Sequence, residues 1–455
     1  MAYSYLTDLG ACIQQLAANG DLVRVHNEVN PIHELAGIAY YYEGREVVLC
    51  EKVEGHSFPV LVGLYWNRAN LARLFGCSTR QLPFVVADAV QKWQQNPIEP
   101  EVIEQGPANE VVEPEVDLYK LPIPTHALDD GGPYIDSAVV IARDPDTGVR
   151  NTSIYRALVV GRDRLTVQLD AGRHVRDYYE RAEKRGMPLE VTINNGVGPA
   201  IHIASIVPAS AAPIDSDELG IVSSFTGRPL PLLRSQSVAV EGLAEAQFIL
   251  EAEMLPEVRE PEGPFAEVTG YYAQRDNRWV VRVKKITRRR QPIWQTILSG
   301  KEVFNSVGLV GEAAVYRLVS RQVRDVTAVY FSHGGCGFYH AIVQLKKSME
   351  GTAKNAILAT FAAFPSLKMV TAVDEDVDIT NAEDVEWAMA TRFRPETGLI
   401  QIPEAWGHEL NPSTRQGLGM KIGFDATAPY PRPPAFTRVK MASVNLAQFD
   451  ISHGN

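Results

Sequence analysis

Glu260-Pro261-Glu262-Gly263-Pro264-Phe265-Ala266-Glu267 sets two carboxylates, Glu262 and Glu267, on either side of a Gly-Pro pair. Gly-Pro continues neither a helix nor a central strand, so the segment is expected to be a turn that holds both acids rigidly. Like charges held together favour one of them keeping its proton, which makes a proton donor. The opposite charge comes from Asn151-Thr152-Ser153-Ile154-Tyr155-Arg156, which alternates as a strand does and is expected to run on through Ala157, Leu158, Val159 and Val160. Arg156 is suited to gripping a carboxylate, because its planar fork reaches both oxygens. Asn151 and Arg156 are an odd number of residues apart, so a bulge or strand end is needed for both to face one site.

Taken together, these motifs resemble the UbiD family of decarboxylases. The resemblance rests on Asn-x-x-x-Tyr-Arg (151–156) and Glu-Gly-Pro-Phe-x-Glu (262–267). It continues in Val373-Asp374-Glu375-Asp376-Val377-Asp378 with Asp384-Val385-Glu386-Trp387-Ala388, and in Gly417-Leu418-Gly419-Met420-Lys421-Ile422-Gly423-Phe424-Asp425-Ala426-Thr427. Asn19-Gly20-Asp21-Leu22-Val23-Arg24-Val25 and Asp144-Pro145-Asp146-Thr147-Gly148 are similar to the family as well. The likeness covers essentially the whole chain. It implies reversible, non-oxidative decarboxylation of an aromatic, heteroaromatic or α,β-unsaturated acid through a covalent adduct with prenylated FMN. Such a cofactor is needed because CO₂ leaving an sp² carbon strands an electron pair that no side chain can absorb.

The resemblance also implies residue roles. Arg156, Glu262 and Glu267 correspond to the catalytic network: Arg156 holds the substrate carboxylate, Glu267 donates the proton and Glu262 anchors Arg156. Asn151 and His174 correspond to ligands of a divalent Mn²⁺ (or Mg²⁺), with K⁺ as a further cation. Ser153, Ile154, Tyr155, Arg156, Gln168, Arg173 and Arg234 are implied at the flavin, the last two at its phosphate. One departure stands out. The family's third metal ligand is a Glu in a Gly-x-Pro-x-Glu-Leu-Val-Arg segment, and Gly227-Arg228-Pro229-Leu230-Pro231-Leu232-Leu233-Arg234 has Pro231 there. Proline offers no ligand atom. The sphere is then completed by Asp215, Asp217 or Glu218, or by water, or the metal site is weakened.

A net charge of −11 over 455 residues excludes the basic excess that nucleic-acid binding needs. The start of the chain reads as no signal peptide, and no apolar run is long enough to span a bilayer. The four cysteines, Cys12, Cys50, Cys77 and Cys336, lack metal or redox spacing and fit reduced thiols of a cytoplasmic protein. Expected partners are the acid substrate, a flavin prenyltransferase that supplies the cofactor, and further copies of the chain in a homodimer or higher oligomer.

The expected fold class is α/β plus β. Residues 1–110 read as an N-terminal α/β domain with the start of a Pro- and Glu-rich linker. Residues 111–311 read as a barrel, which the resemblance implies is a split β-barrel of the flavin-reductase-like kind that holds the cofactor, and 312–455 read as a C-terminal α/β domain expected to serve oligomerisation. Within the middle region, strands are expected at 138–142, 156–160, 165–169, 189–193, 237–240, 279–286 and 293–297, with one helix at 175–185. The C-terminal region is expected to open on a helix at 313–322. Two other functions remain open: a flavin-binding oxidoreductase on the same barrel, and a non-catalytic subunit, which Pro231 would explain. The His333-Gly334-Gly335-Cys336-Gly337 turn and the acidic run at 374–378 read as structural, because neither completes a ligand set.

Overall fold

The computed structural model describes residues 4–170, 172–214, 216–445 and 448–449. Its spine is a sheet of nine strands among the described residues. Their order is Tyr134–Ile135, Ala157–Val159, Arg164–Val167, Asp276–Arg288, Phe248–Glu262, Leu189–Asn195, Val139–Arg143 and Arg150–Ile154, with Val111–Val112 added on Asp276–Arg288. The core strand, Phe248–Glu262, is absent from the expected set, and a strand expected at 237–240 is absent from the structure. Pro256, Pro261 and five glutamates hide the strand in the sequence. Its first half is buried by neighbours on both sides, and Glu257 sits at φ 60° inside a bulge between Met254 and Arg259. The 237–240 segment is a loop whose job is local. The Gln236 and Ser237 N–H groups and the Ser237 hydroxyl donate to the buried Glu251 carboxylate at 2.5–3.1 Å.

The strand expected to run from Asn151 past Arg156 is two strands. Tyr155 and Arg156 belong to neither. Arg150–Ile154 lies at one end of the sheet and Ala157–Val159 lies next to the other end, yet only these two residues join them. Two residues of chain span less than about 10 Å. The sheet must therefore curl until its ends meet, giving a half-barrel. The break also frees Arg156 from the alternation that would have pointed it away from Asn151.

Four strands, Leu22–Val29, Val47–Val53, Val60–Val62 and Trp294–Gln295, make an N-terminal sheet covered by helices Leu9–Asn19, Arg68–Leu74 and Leu82–Gln95. A C-terminal sheet runs Val326–Phe331, His340–Leu345, Met369–Asp374, Leu418–Ala426, Leu399–Trp406. Between them stands helix Lys301–Gln322, which begins twelve residues before the helix expected at 313 and crosses the boundary expected at 311/312. Gly308 and Gly311 lie within the helix, where their role is close approach. A Cβ on Gly308 would lie 2.7 Å from the Gly337 carbonyl oxygen, and one on Gly311 would lie 2.6 Å from the Phe331 ring. The acidic run after Met369–Asp374 is neutralised by arginines: Asp374 and Asp376 pair with Arg392 and Arg432. Among the described residues no helix is long and apolar enough to cross a membrane.

Buried polar groups tie the long helix to the N-terminal sheet and the half-barrel. Glu302 accepts from the Leu298 N–H at 2.8 Å and the Tyr65 N–H at 3.3 Å, and Asn305 donates to the Trp66 carbonyl at 2.8 Å. Asp136 accepts from the Thr296 hydroxyl at 2.9 Å and the Ile297 N–H at 3.0 Å. Burial pushes both carboxyls, Glu302 and Asp136, up to about 8. Unfolded carboxyls titrate near 4, so between these limits the folded state holds the extra protons and stability falls as pH rises. The buried His126 and His202 act in the opposite sense, since burial lowers them to about 4 and about 3. Their influence ends near pH 6.5, where unfolded histidine titrates. We therefore expect the thermal midpoint to fall from pH 6.5 to 8, and the slope to flatten in the double variant Asp136→Asn, Glu302→Gln. A slope unchanged by the two substitutions would disprove it.

Candidate active site

The strand Phe248–Glu262 delivers Glu262 at its last residue, where the chain turns through Gly263 at φ 95°. Glu262 is fully buried. Arg156, released by the strand break, donates through Nε to Glu262 Oε1 at 3.0 Å and through its terminal nitrogen to Oε2 at 3.4 Å. Its other terminal nitrogen donates to Glu267. The guanidinium lies over the Phe265 ring, 5.0 Å from the centroid. Arg156 and Glu267 keep small exposed fractions, 14 % and 10 % of their side chains, while Glu262 has none. One arginine thus bridges two acids, and the acid with fewer partners is the one nearer solvent. Such a constellation can hold an anion and move a proton beside it.

A second cluster forms at the opening of helix His174–Glu183. Asn151, on its strand, donates to Glu218 Oε1 at 2.7 Å and lies 3.2 Å from His174 Nδ1. His174 Nδ1 is 3.7 Å from Glu218 Oε1, and the Thr152 N–H donates to Glu218 Oε2 at 3.2 Å. Ser153 donates to the Asn151 amide oxygen at 3.0 Å. Burial pushes the Glu218 carboxyl above its usual range, partly offset by the hydrogen bonds from His174 and Thr152. Of the three acids weighed for this role, Glu218 is the one beside Asn151 and His174. Asp217 pairs with Arg150 at 2.7 Å, and Asp215 lies outside the described residues. Among the described residues no cluster of three or more His, Cys, Asp or Glu side chains gathers; this trio has an amide as its third member.

Pro231 is not near this trio. It opens the short strand Pro231–Leu233, which pairs with Glu101–Ile103 in a three-stranded sheet. Arg234 follows it and is used at the surface, donating to Glu104 at 2.8 Å, so it is not brought to the cluster. The other expected residues converge. Ile154 ends its strand against the core, and Tyr155 is buried. Tyr155 Oη and Gln168 Oε1 are buried without a hydrogen-bond partner, as atoms awaiting a ligand are. Arg173 caps the helix at His174 with its backbone, and no acid pairs with its guanidinium among the described residues. Sequence reading passed over Asp130 and Tyr134, which contact the Glu262–Glu267 turn, because Asp130 falls in the Pro-, Glu- and Gly-rich stretch that reads as linker and Tyr134 directly follows it.

Three family models match in chain order: the N-terminal, Rift-related and C-terminal domains of 3-octaprenyl-4-hydroxybenzoate carboxy-lyase, over residues 13–90, 101–302 and 305–426. A Rhodospirillum rubrum protein from the cooM 5' region is 56% identical over 98% of this chain and 96% of its own. The anhydromevalonate phosphate decarboxylase of Methanothermobacter thermautotrophicus is 37% identical, covering 91% of this chain and 96% of its own. Among solved structures, the UbiD-class enzyme HmfF from Pelotomaculum thermopropionicum in complex with FMN superimposes with a TM-score of 0.92 at 37% identity, over 97% of this chain and 100% of that one. An evolved dimeric form of HmfF holds prFMN. With three matched domains spanning the chain and relatives aligned over nearly their full length, the protein belongs to the UbiD family of carboxy-lyases, the prenylated-FMN decarboxylases.

Proposed function

We propose that this decarboxylase acts on an aromatic, heteroaromatic or α,β-unsaturated carboxylic acid, with Arg156, Glu262 and Glu267 as its catalytic residues. The observation that carries the reading is Arg156 bridging a fully buried Glu262 and a less buried Glu267. Arg156 holds the substrate carboxylate, so the bond to be broken is oriented before it breaks. Glu262 keeps the guanidinium in place. Glu267 delivers a proton to the carbon that CO₂ leaves, and in the reverse direction takes it back.

The residues present fit the flavin. Tyr155 Oη and Gln168 Oε1 are buried and unpartnered among the described residues, where no acid pairs with the Arg173 guanidinium either. Ser153, Ile154 and Tyr155 would lie along it, with Arg173 toward its phosphate. Prenylated FMN supplies, when bound, the electron sink that a vinyl or aryl carbanion lacks. Asn151, His174 and Glu218 would hold Mn²⁺ or Mg²⁺, since amide, imidazole and carboxylate donors suit such a cation and a phosphate shared with it. We read the half-barrel as the split barrel of flavin reductases, supported by the chain passing from one end of the sheet to the other at Tyr155–Arg156. A flavin prenyltransferase supplies the cofactor, and the active form is a homo-oligomer. The non-catalytic alternative drew on Pro231, and with Glu218 beside His174 it loses that motive.

The deciding experiment is co-expression with a flavin prenyltransferase, then absorbance spectra and CO₂ release from 3,4-dihydroxybenzoate, furan-2-carboxylate and anhydromevalonate phosphate. NAD(P)H oxidation without CO₂ release would instead establish an oxidoreductase. For the metal, Glu218→Ala should weaken divalent-ion retention at least about tenfold and release flavin with it. Pro231→Glu should leave both unchanged. Metal analysis of the purified holoenzymes decides; retention unchanged in Glu218→Ala would remove Glu218 from the ligand set.

A further inference from the structure

The turn that carries the two glutamates is gripped by a segment outside the Arg-Glu-Glu network, residues 127–134. Asp130 accepts from the Ala266 N–H through one carboxylate oxygen and from the Ala127 N–H through the other, both at 2.8 Å. Gly131 N–H donates to the Pro264 carbonyl at 2.8 Å. The approach is so close that a Cβ on Gly131 would lie 2.4 Å from the Gly263 carbonyl oxygen. Tyr134 is buried. Its hydroxyl lies 3.0 Å from Glu262 Oε1 and 3.3 Å from the Pro264 carbonyl, and its ring packs on Phe265 at 4.6 Å. Phe265 in turn carries the Arg156 guanidinium on its face.

The two glutamates are therefore unequally served. Glu262 Oε1 takes hydrogen bonds from Arg156 Nε and Tyr134 Oη, and Oε2 from Arg156 again. Glu267 takes one from Arg156, and its backbone N–H donates to the Tyr271 carbonyl at 2.9 Å. A carboxylate that accepts several hydrogen bonds is held in its ionised form. We propose that Tyr134 and Asp130 are positioning residues that decide which glutamate carries the transferable proton. Tyr134 fixes Glu262 as the anchor of Arg156. Asp130 fixes the Ala266 N–H, and so places the next residue, Glu267, as the donor. The inference rests on Glu267 being the proton donor. Burial and the neighbouring Glu262 push the Tyr134 hydroxyl far up, so it remains a donor at every working pH. The charged groups that face it are Glu262, Arg156 and Asp130.

The test uses holoenzyme loaded by co-expression with a prenyltransferase, and whichever of the three acids above gives CO₂. In Tyr134→Phe, flavin absorbance and KM should hold while kcat falls about 10-fold or more, the scale of a lost hydrogen bond to a charged group. The loss should fall on kcat alone, because the hydrogen bond that holds Glu262 against Arg156 is gone while the flavin site is untouched. A merely structural loss would lower flavin loading and the thermal midpoint along with kcat. Asp130→Asn, which keeps one acceptor, should retain more kcat than Asp130→Ala, and a crystal structure of Asp130→Ala should show the Ala266–Glu267 segment displaced. Wild-type kcat in Tyr134→Phe, or a fall in kcat matched by lost flavin, overturns the role of Tyr134. An unmoved Ala266–Glu267 segment in Asp130→Ala overturns that of Asp130, and decides alone if Tyr134→Phe does not fold. Glu267→Gln separates the two levels. If it is inactive while Tyr134→Phe is normal, only this inference fails; if it turns over normally, the proton-donor reading itself fails.

Discussion

Glu267→Gln should leave the flavin spectrum of the holoenzyme intact and lower turnover by about 10²–10⁴, the usual contribution of a positioned proton donor. The expectation follows from the inequality between the two acids. Glu262 is fully buried and committed to Arg156 and Tyr134, whereas Glu267 shares one arginine nitrogen and keeps some exposure. Glutamine preserves the size of the side chain and can still hydrogen-bond Arg156 through its amide oxygen, so the fold and the arginine should stay in place. What it cannot do is give up a proton at working pH. The loss should fall on kcat rather than on KM, as expected when an interaction made in the transition state disappears. Stopped-flow release of CO₂ with the flavin absorbance as internal standard measures it. Normal turnover would remove Glu267 from the proton path.

Arg156→Lys should be almost as damaging, by about 10² or more in kcat/KM. The arginine reaches both glutamates at once and still lies flat on Phe265. A lysine ammonium is a point charge on a flexible stem and cannot reproduce that fork. Glu262 is fully buried, so losing even one of its donors leaves a charged acceptor short of partners, at a cost of about 1–3 kcal/mol or more. Each 1.36 kcal/mol carried into the barrier is a factor of about ten. The substrate carboxylate would lose its orientation as well. Steady-state kinetics on the loaded enzyme, with thermal midpoints alongside, separates chemistry from folding. Wild-type kinetics would make Arg156 a structural residue.

Much of the site was legible because its chemistry is concentrated in short segments. Glu-Gly-Pro-Phe-x-Glu and Asn-x-x-x-Tyr-Arg declare their residue types and local turns without help from distant chain. The alternating runs gave most strands and helices, often within a few residues at their ends. What could not be read is instructive at three places. The strand Phe248–Glu262 carries prolines and glutamates that argue against a strand. It forms because neighbours on both sides pair with it and because Gln236 and Ser237 amides satisfy the buried Glu251. The first twelve residues of helix Lys301–Gln322 do not read as helix, and Gly308 and Gly311 stand there because close contacts with Gly337 and Phe331 leave no room for a side chain.

The third place is the cluster of Asn151, His174 and Glu218. The sequence by itself determined the family resemblance and, through it, the two glutamates on their Gly-Pro turn and Asn151, Arg156 and His174 as candidates, since several short motifs stand in one order along the chain. Only the tertiary structure decided that Glu218 rather than Pro231 stands with Asn151 and His174. It also decided that Arg234 is spent on Glu104, and that Asp130 and Tyr134 grip the Glu262–Glu267 turn. The physical reason is one of range. A motif encodes the angles and residue types of a few neighbours. Which carboxylate meets which imidazole depends on how a curled sheet brings together segments tens of residues apart, and no local pattern carries that distance.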